Sequence, residues 1–203
     1  MNAAKIRLSQ KEMELVTNTD WILTKNHILQ KAIHILETLQ EQQKTYLHLH
    51  AQPLPEEVWK TSPKISKGEN YKGLPYLVLD HPRCFDKENI FAIRSMFWWG
   101  NFFSITLHLS GKYKKMFAEK IITSFQTLKE NEFFFCVLEN EWEHHFETNN
   151  YIPLSGFRKI DFENRLGSGP FVKLAQKIPL EQWDNAPVFF FNSFKKIIEM
   201  LIA

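Results

Sequence analysis

The chain has 203 residues, 44% of them apolar and 24% charged, with 18 Phe, 6 Trp, two cysteines and a formal net charge of +2. That composition excludes a disordered chain and a disulfide framework, and it argues against the concentrated basic charge of a nucleic-acid binder. No run of about 18 uncharged apolar residues suggests a membrane span, and no secretory leader is apparent, so a cytoplasmic protein without nucleic-acid or membrane partners is expected.

In chain order, Ser9 to Glu12 has the spacing of a capping box, S-x-x-E, ahead of a short helix. A longer helix is predicted from Asp20 to about His50, because Trp21, Ile28, Ala32, Ile35, Leu36 and Leu39 recur at three- and four-residue steps. Pro55 can open a short turn of helix through Trp59, and the lysine-rich stretch after it, with Lys60, Lys64, Lys67 and Lys72 beside Trp59 and Tyr71, reads as a solvated loop. Strand material follows: LPYLVLD, a hairpin from Ile90 to Leu109 turning at Gly100-Asn101, and, after a helix from Lys112 to Glu130 with Met116, Phe117, Ile121, Phe125 and Leu128 on one stripe, the strand EFFFCVLENEW. The apolar even positions Ile160, Phe162, Leu166, Val172, Leu174 and Ile178 predict an antiparallel hairpin around Gly-Ser-Gly-Pro. The terminal helix should bury Phe190, Phe194, Ile197, Ile198 and Leu201.

The fold class is therefore α+β: a mainly antiparallel sheet of about five or six strands, with a long N-terminal helix, one central helix and a C-terminal helix packed on it. One domain, 1–203, is expected, comprising a helical N-terminal segment 1–52 and a sheet-containing core 70–203.

Chemistry has few places to sit. In the hairpin, a three-residue connection at Gly100-Asn101-Phe102 puts Arg94, Met96 and Trp98 on one face with Ser104, Thr106 and His108, and sets Arg94 across from His108. A two-residue Gly-Asn connection slips the pairing and sets Arg94 beside Leu107. The first segregates polar from apolar side chains and avoids an arginine among aliphatic groups, so it is preferred. It gives a semi-polar sheet face with Arg94 as anion anchor, His108 as acid, base or ligand, and Trp98 as a stacking wall. The end of the preceding strand, LDHPRCF, adds Asp80, His81 and Arg83, the last close enough to lower the pKa of Cys84. In ENEWEHHFE, the residues Glu141, His144 and His145 are a weak alternative metal set, though H-E-x-x-H is absent and a solvated acidic edge explains them as well. With only seven glycines, no phosphate-binding loop is evident, and no cofactor is expected.

Three readings follow. The first is a non-catalytic module binding a small ligand or a partner on the semi-polar sheet face. The second is a hydrolase, metal-dependent or not, using the histidine and carboxylate clusters. The third makes the long N-terminal helix a homodimerisation element.

Overall fold

The computed structural model describes residues 6–50 and 52–203. The Ser9 hydroxyl accepts the Glu12 N–H at 3.3 Å and the Glu12 carboxylate accepts the Ser9 N–H at 2.7 Å, so the capping box opens α1 (Gln10–Thr17). Asn18 then closes α1 through its own N–H, while its Oδ1 accepts the Trp21 N–H at 3.1 Å. One asparagine thus ends one helix and caps the next, α2 (Thr19–His50), which starts one residue before Asp20. At 32 residues α2 is about 48 Å long, and it buries Leu29, Ala32, Leu36, Leu39, Gln43 and Leu47 along one stripe.

Among the described residues the strands are β1 (Lys64–Tyr71), β2 (Leu74–Phe85), β3 (Ile90–Trp98), β4 (Phe102–Ser110), β5 (Phe134–Cys136), β6 (Tyr151–Pro153) and β7 (Phe171–Pro179). They form one sheet in the order β1-β2-β3-β4-β7-β5-β6, antiparallel at every pairing. The remaining helices are α3 (Glu56–Trp59), α4 (Gly111–Thr123), α5 (Phe125–Glu130), α6 (Lys159–Ser168) and α7 (Ala186–Ile202). The α+β class stands, with seven strands rather than five or six. Two strands were not expected, β1, built from residues read as a loop, and the short β6, while one expected strand is the helix α6. The lysines of β1 suit an edge strand, where charge on an open ladder discourages pairing with other chains.

One sheet face carries Leu77, Leu79, Phe91, Ile93, Phe97, Phe103, Ile105, Leu107, Leu109, Val172 and Leu174, buried in a single apolar core with side chains of α2, α4 and α7. The C-terminal helix buries all five residues expected of it, Phe190, Phe194, Ile197, Ile198 and Leu201. The predicted central helix breaks at Ser124 into α4 and α5, and Met116 of its stripe is 53% exposed. The hairpin expected across residues 158–178 is instead a helix followed by a strand. Phe162 and Leu166 are four apart, a spacing that fits a two-residue period and a helical face equally; both are buried in α6, while Ile160 is exposed. The predicted strand from Glu132 to Trp142 ends at Cys136. Residues 137–150 run on without helix or strand as a strap across the sheet face that the helices leave uncovered.

The β3–β4 turn is a three-residue loop, but it is Trp99-Gly100-Asn101, so Trp98 pairs with Phe102 and Arg94 with Thr106. Gly100 takes φ +70 and the Asn101 N–H donates to the Trp98 carbonyl at 3.1 Å. The glycine is placed where the turn needs a left-handed residue, which sets the register two residues from the expected one. A shift of two preserves the faces: Arg94 still lies on the side of Ser104, Thr106 and His108, diagonal to His108 rather than opposite it.

At the far end of β4, Gly111 opens α4 with φ +54, and a Cβ there would lie 2.3 Å from both the Asn89 Oδ1 and the Glu88 carbonyl oxygen. Gly111→Ala meets both strain and a backbone clash, and is expected to destabilise the protein by about 1–3 kcal/mol in urea unfolding.

Candidate functional site

The strap-covered face is built from cross-strand rows. One row runs Asp80–Arg94–Thr106–Ala175 over β2, β3, β4 and β7; its neighbour runs Arg83–Ala92–His108–Lys173. Between them β2 carries a bulge in which His81 and Pro82 oppose the single residue Ile93. Alanine at 92 and 175 leaves room on the sheet for the long side chains of Arg94, His108 and Lys173.

Arg94 donates in a fork to Asp80, Nε to Oδ1 at 2.7 Å and Nη2 to Oδ2 at 2.8 Å. Its remaining Nη1 lies 2.9 Å from His144 Nε2 of the strap. A guanidinium has no acceptor, so His144 must offer a lone pair there and is neutral. Burial, and then the cations Lys173 and Arg94, hold the His144 pKa well below the usual imidazole range. His108 Nε2 lies 2.9 Å from Glu141 Oε2, also of the strap. Burial, followed by Lys173 and Arg94, pushes His108 down to about 3, so the neutral imidazole donates its Nε2–H to the carboxylate. Burial in turn raises the pKa of Glu141, with Lys173 opposing.

Lys173 is 1% exposed, and its ammonium donates to the carbonyls of Glu141 at 2.8 Å and Glu143 at 2.6 Å. Burial is the main reason its pKa is lowered to about 8. The strap is tied down a fourth time at β1, where the Tyr71 hydroxyl accepts the N–H groups of His144 (2.7 Å) and His145 (3.0 Å) and donates to Glu143 Oε2 at 2.9 Å. Burial drives that phenol up to about 12. Beyond these polar ties Phe146 stacks on Tyr151 at 4.6 Å and meets Phe102 and Phe134 edge-on, an apolar anchor for the end of the strap.

Between strap and sheet lies a chamber of about 10 Å³, room for one water-sized occupant. Phe85, Ala92, Arg94, Thr106, His108, Trp142, His144 and Lys173 line it. Trp142 closes it from outside: half exposed, its ring sits 5.8 Å from His108 and 6.4 Å from Phe85. The chamber combines two cations, a neutral histidine joined to a carboxylate, and a half-exposed aromatic cover. That arrangement can hold a small anion and pass a proton to or from it.

Of the residues singled out in the sequence, Arg94, Thr106 and His108 line the chamber, and Asp80 holds Arg94 from behind. Trp98 shares the face but packs at its other end with Val78, Met96 and Phe102. His81 is buried beside Lys44 and Glu41 of α2, and burial pushes it down to about 4. Arg83 turns to the sheet edge, where its Nε donates to the Ser62 carbonyl at 2.9 Å. It does not activate Cys84: the thiol donates to the Glu57 carbonyl at 2.9 Å, and burial raises its pKa. Glu141 and His144 reach the chamber as partners of His108 and Arg94, whereas His145 sits between Glu143 and Glu147. Among the described residues no group of three or more His, Cys, Asp and Glu side chains is placed to hold a metal ion.

Lys173 and Trp142 were missed. The alternation in FVKLAQKI assigned Lys173 to a wet face, which is correct for an antiparallel sheet with one side in water. The usable signal lay in the strap itself: Trp142 and Phe146 are too apolar for a purely solvated acidic edge, so that segment had to cover something. Among the described residues no helix is long and apolar enough to cross a membrane. Comparison with protein-family models, with curated proteins and with solved structures finds no match to this chain.

Proposed function

We propose that this protein is a binding module for a small molecule bearing an acid group, which enters the chamber under the strap and pairs with Lys173. One observation carries the reading. The Lys173 ammonium is buried, bonded to main-chain carbonyls, and among the described residues no carboxylate lies within ion-pair distance of it. The carboxylates of Glu141 and Glu143 are turned away, to His108 and Tyr71. Asp80 is committed to Arg94. A buried charge without a counter-ion is costly, and an anion beside Lys173 relieves that cost. The chamber as closed accepts one monatomic ion or the edge of an acid group, and a larger head requires Trp142 to swing outward.

The hydrolase reading draws on the His108–Glu141 pair, a proton carrier in hydrogen-bond reach of the chamber. Thr106 is the hydroxyl in the lining, and among the described residues no hydrogen bond joins it to that pair as a nucleophile would need. Binding is therefore the preferred reading.

Thermal unfolding at fixed ionic strength in chloride, acetate, bicarbonate or phosphate tests it. At a hundred times its Kd an entering anion adds about 2.7 kcal/mol, a shift of roughly 5–10 °C for a chain of this size. Lys173→Met should abolish the shift. If none of these anions raises the melting temperature of the unaltered protein, the reading is wrong.

A further inference from the structure

We infer that the ligand of this site is amphoteric, carrying an amine at the end opposite its acid group, as an ω-amino acid does. The inference rests on the reading of the chamber as an acid site and adds the chemistry of its approach. On the outer side of Trp142 a groove of about 360 Å³ shares Trp142 with the chamber and is also lined by Glu141, whose carboxylate bonds the chamber's His108. Its floor is apolar, from Ile90, Pro170 and Phe171. Its charge is the reverse of the chamber's. Glu88, Glu139 and Glu141 line it against the single cation Lys87.

Two of those carboxylates are unengaged. Among the described residues neither Glu88 nor Glu139 takes part in an ion pair, although thirteen such pairs occur elsewhere in the molecule. A cation-lined chamber behind an acid-lined mouth is a poor design for a simple anion, which the mouth repels. It suits a molecule with both signs: the acid passes Trp142 to reach Lys173, the methylene body lies on Ile90 and Phe171, and the ammonium stays at the mouth with Glu88 and Glu139. The outer charges are in water, where one ion pair contributes little, so the amine should add a modest preference rather than the bulk of the affinity.

The probes are straight-chain ω-amino acids of two to six carbons, each compared with the unsubstituted acid and the unsubstituted amine of the same length. Binding is read by calorimetry and by tryptophan fluorescence of the full chain, with Trp142→Phe as the control that assigns the signal to Trp142. The expected result is that at one chain length the amino acid binds about three- to tenfold more tightly than the matching acid, with the amine alone not binding. Glu88→Gln with Glu139→Gln, both exposed and outside the chamber, should erase that preference while the plain acid binds as well as before or better. If the acids bind in a Lys173-dependent way but no amino acid surpasses its matching acid, the amphoteric inference fails and the acid-site reading stands. If neither acids nor amino acids bind, the acid-site reading itself fails. If the preference survives the double substitution, the carboxylates named here are not its source and the inference is overturned.

Discussion

Lowering the pH from 7.5 to 5 should cost this protein several kcal/mol of stability, well before its carboxylates titrate. His108 and His81 are buried as neutral imidazoles, with folded pKa values of about 3 and about 4, against about 6.5 in an unfolded chain. Between those values the unfolded chain binds protons that the folded one refuses. Stability is therefore fully present above pH 6.5 and lost as the pH falls toward the folded values. At pH 5 each of the two contributes a loss of about 2 kcal/mol, or about 4 together, a large part of the 5–15 kcal/mol typical of a domain. His144 acts in the same direction and more locally. Protonating it destroys its acceptor for Arg94 and sets two cations face to face, so the strap should loosen before the rest unfolds. Urea unfolding between pH 7.5 and 5 measures the first effect, and the change in tryptophan emission without urea that is lost in Trp142→Phe measures the second. His144→Gln keeps an acceptor for Arg94 but cannot be charged, and should hold the strap closed in acid. An unchanged urea midpoint from pH 7.5 to 5 would show that the histidines are not buried as described.

The second large effect is at Arg94. Its fork to Asp80 is mostly buried, with side-chain exposures of 22% and 10%, and the same guanidinium holds His144. Arg94→Ala leaves a carboxylate without a counter-charge and a strap without one of its ties, and should destabilise by about 3–5 kcal/mol. Arg94→Lys retains the charge but not the fork, and should fall between the two. Replacing both partners, Asp80→Leu with Arg94→Met, removes the uncompensated charge and should recover most of the loss. Denaturant unfolding of the unaltered protein, Asp80→Leu, Arg94→Met and the double variant closes the cycle. A loss below about 1 kcal/mol for Arg94→Ala would mean that the pair is effectively solvated.

The sequence made some of this site legible for a definite reason. A strand's two-residue period fixes which side chains share a face, so Arg94, Thr106 and His108 could be grouped even though the turn was placed wrongly. Parity survives an error of two residues; direct opposition does not. The position of Trp99 inside the loop depended on where Gly100 takes its positive φ, and composition does not state that. Lys173 was hidden for a different reason. Alternation separates the two faces of a sheet but does not say whether the polar one is wet, and here a segment 23 to 36 residues earlier in the chain keeps water from it. The α6 helix was lost to a coincidence of periods at Phe162 and Leu166. The long helices α2 and α7 were plain because a stripe repeated over four or more turns has no competing reading.

The strap has one more consequence, for the order in which the chain assembles. Its ties come from Tyr71, Arg94, His108 and Lys173, on β1, β3, β4 and β7, residues separated by as much as half of the sequence. The full set can be made only when β1, β3, β4 and β7 have taken their places in the sheet, with β2 between the first two, and each tie is too remote in sequence to form cheaply alone. Closure of the strap is thus placed at the end of folding, after the apolar core has set. The chamber cannot exist in a partly built molecule, and its formation marks the completion of the sheet.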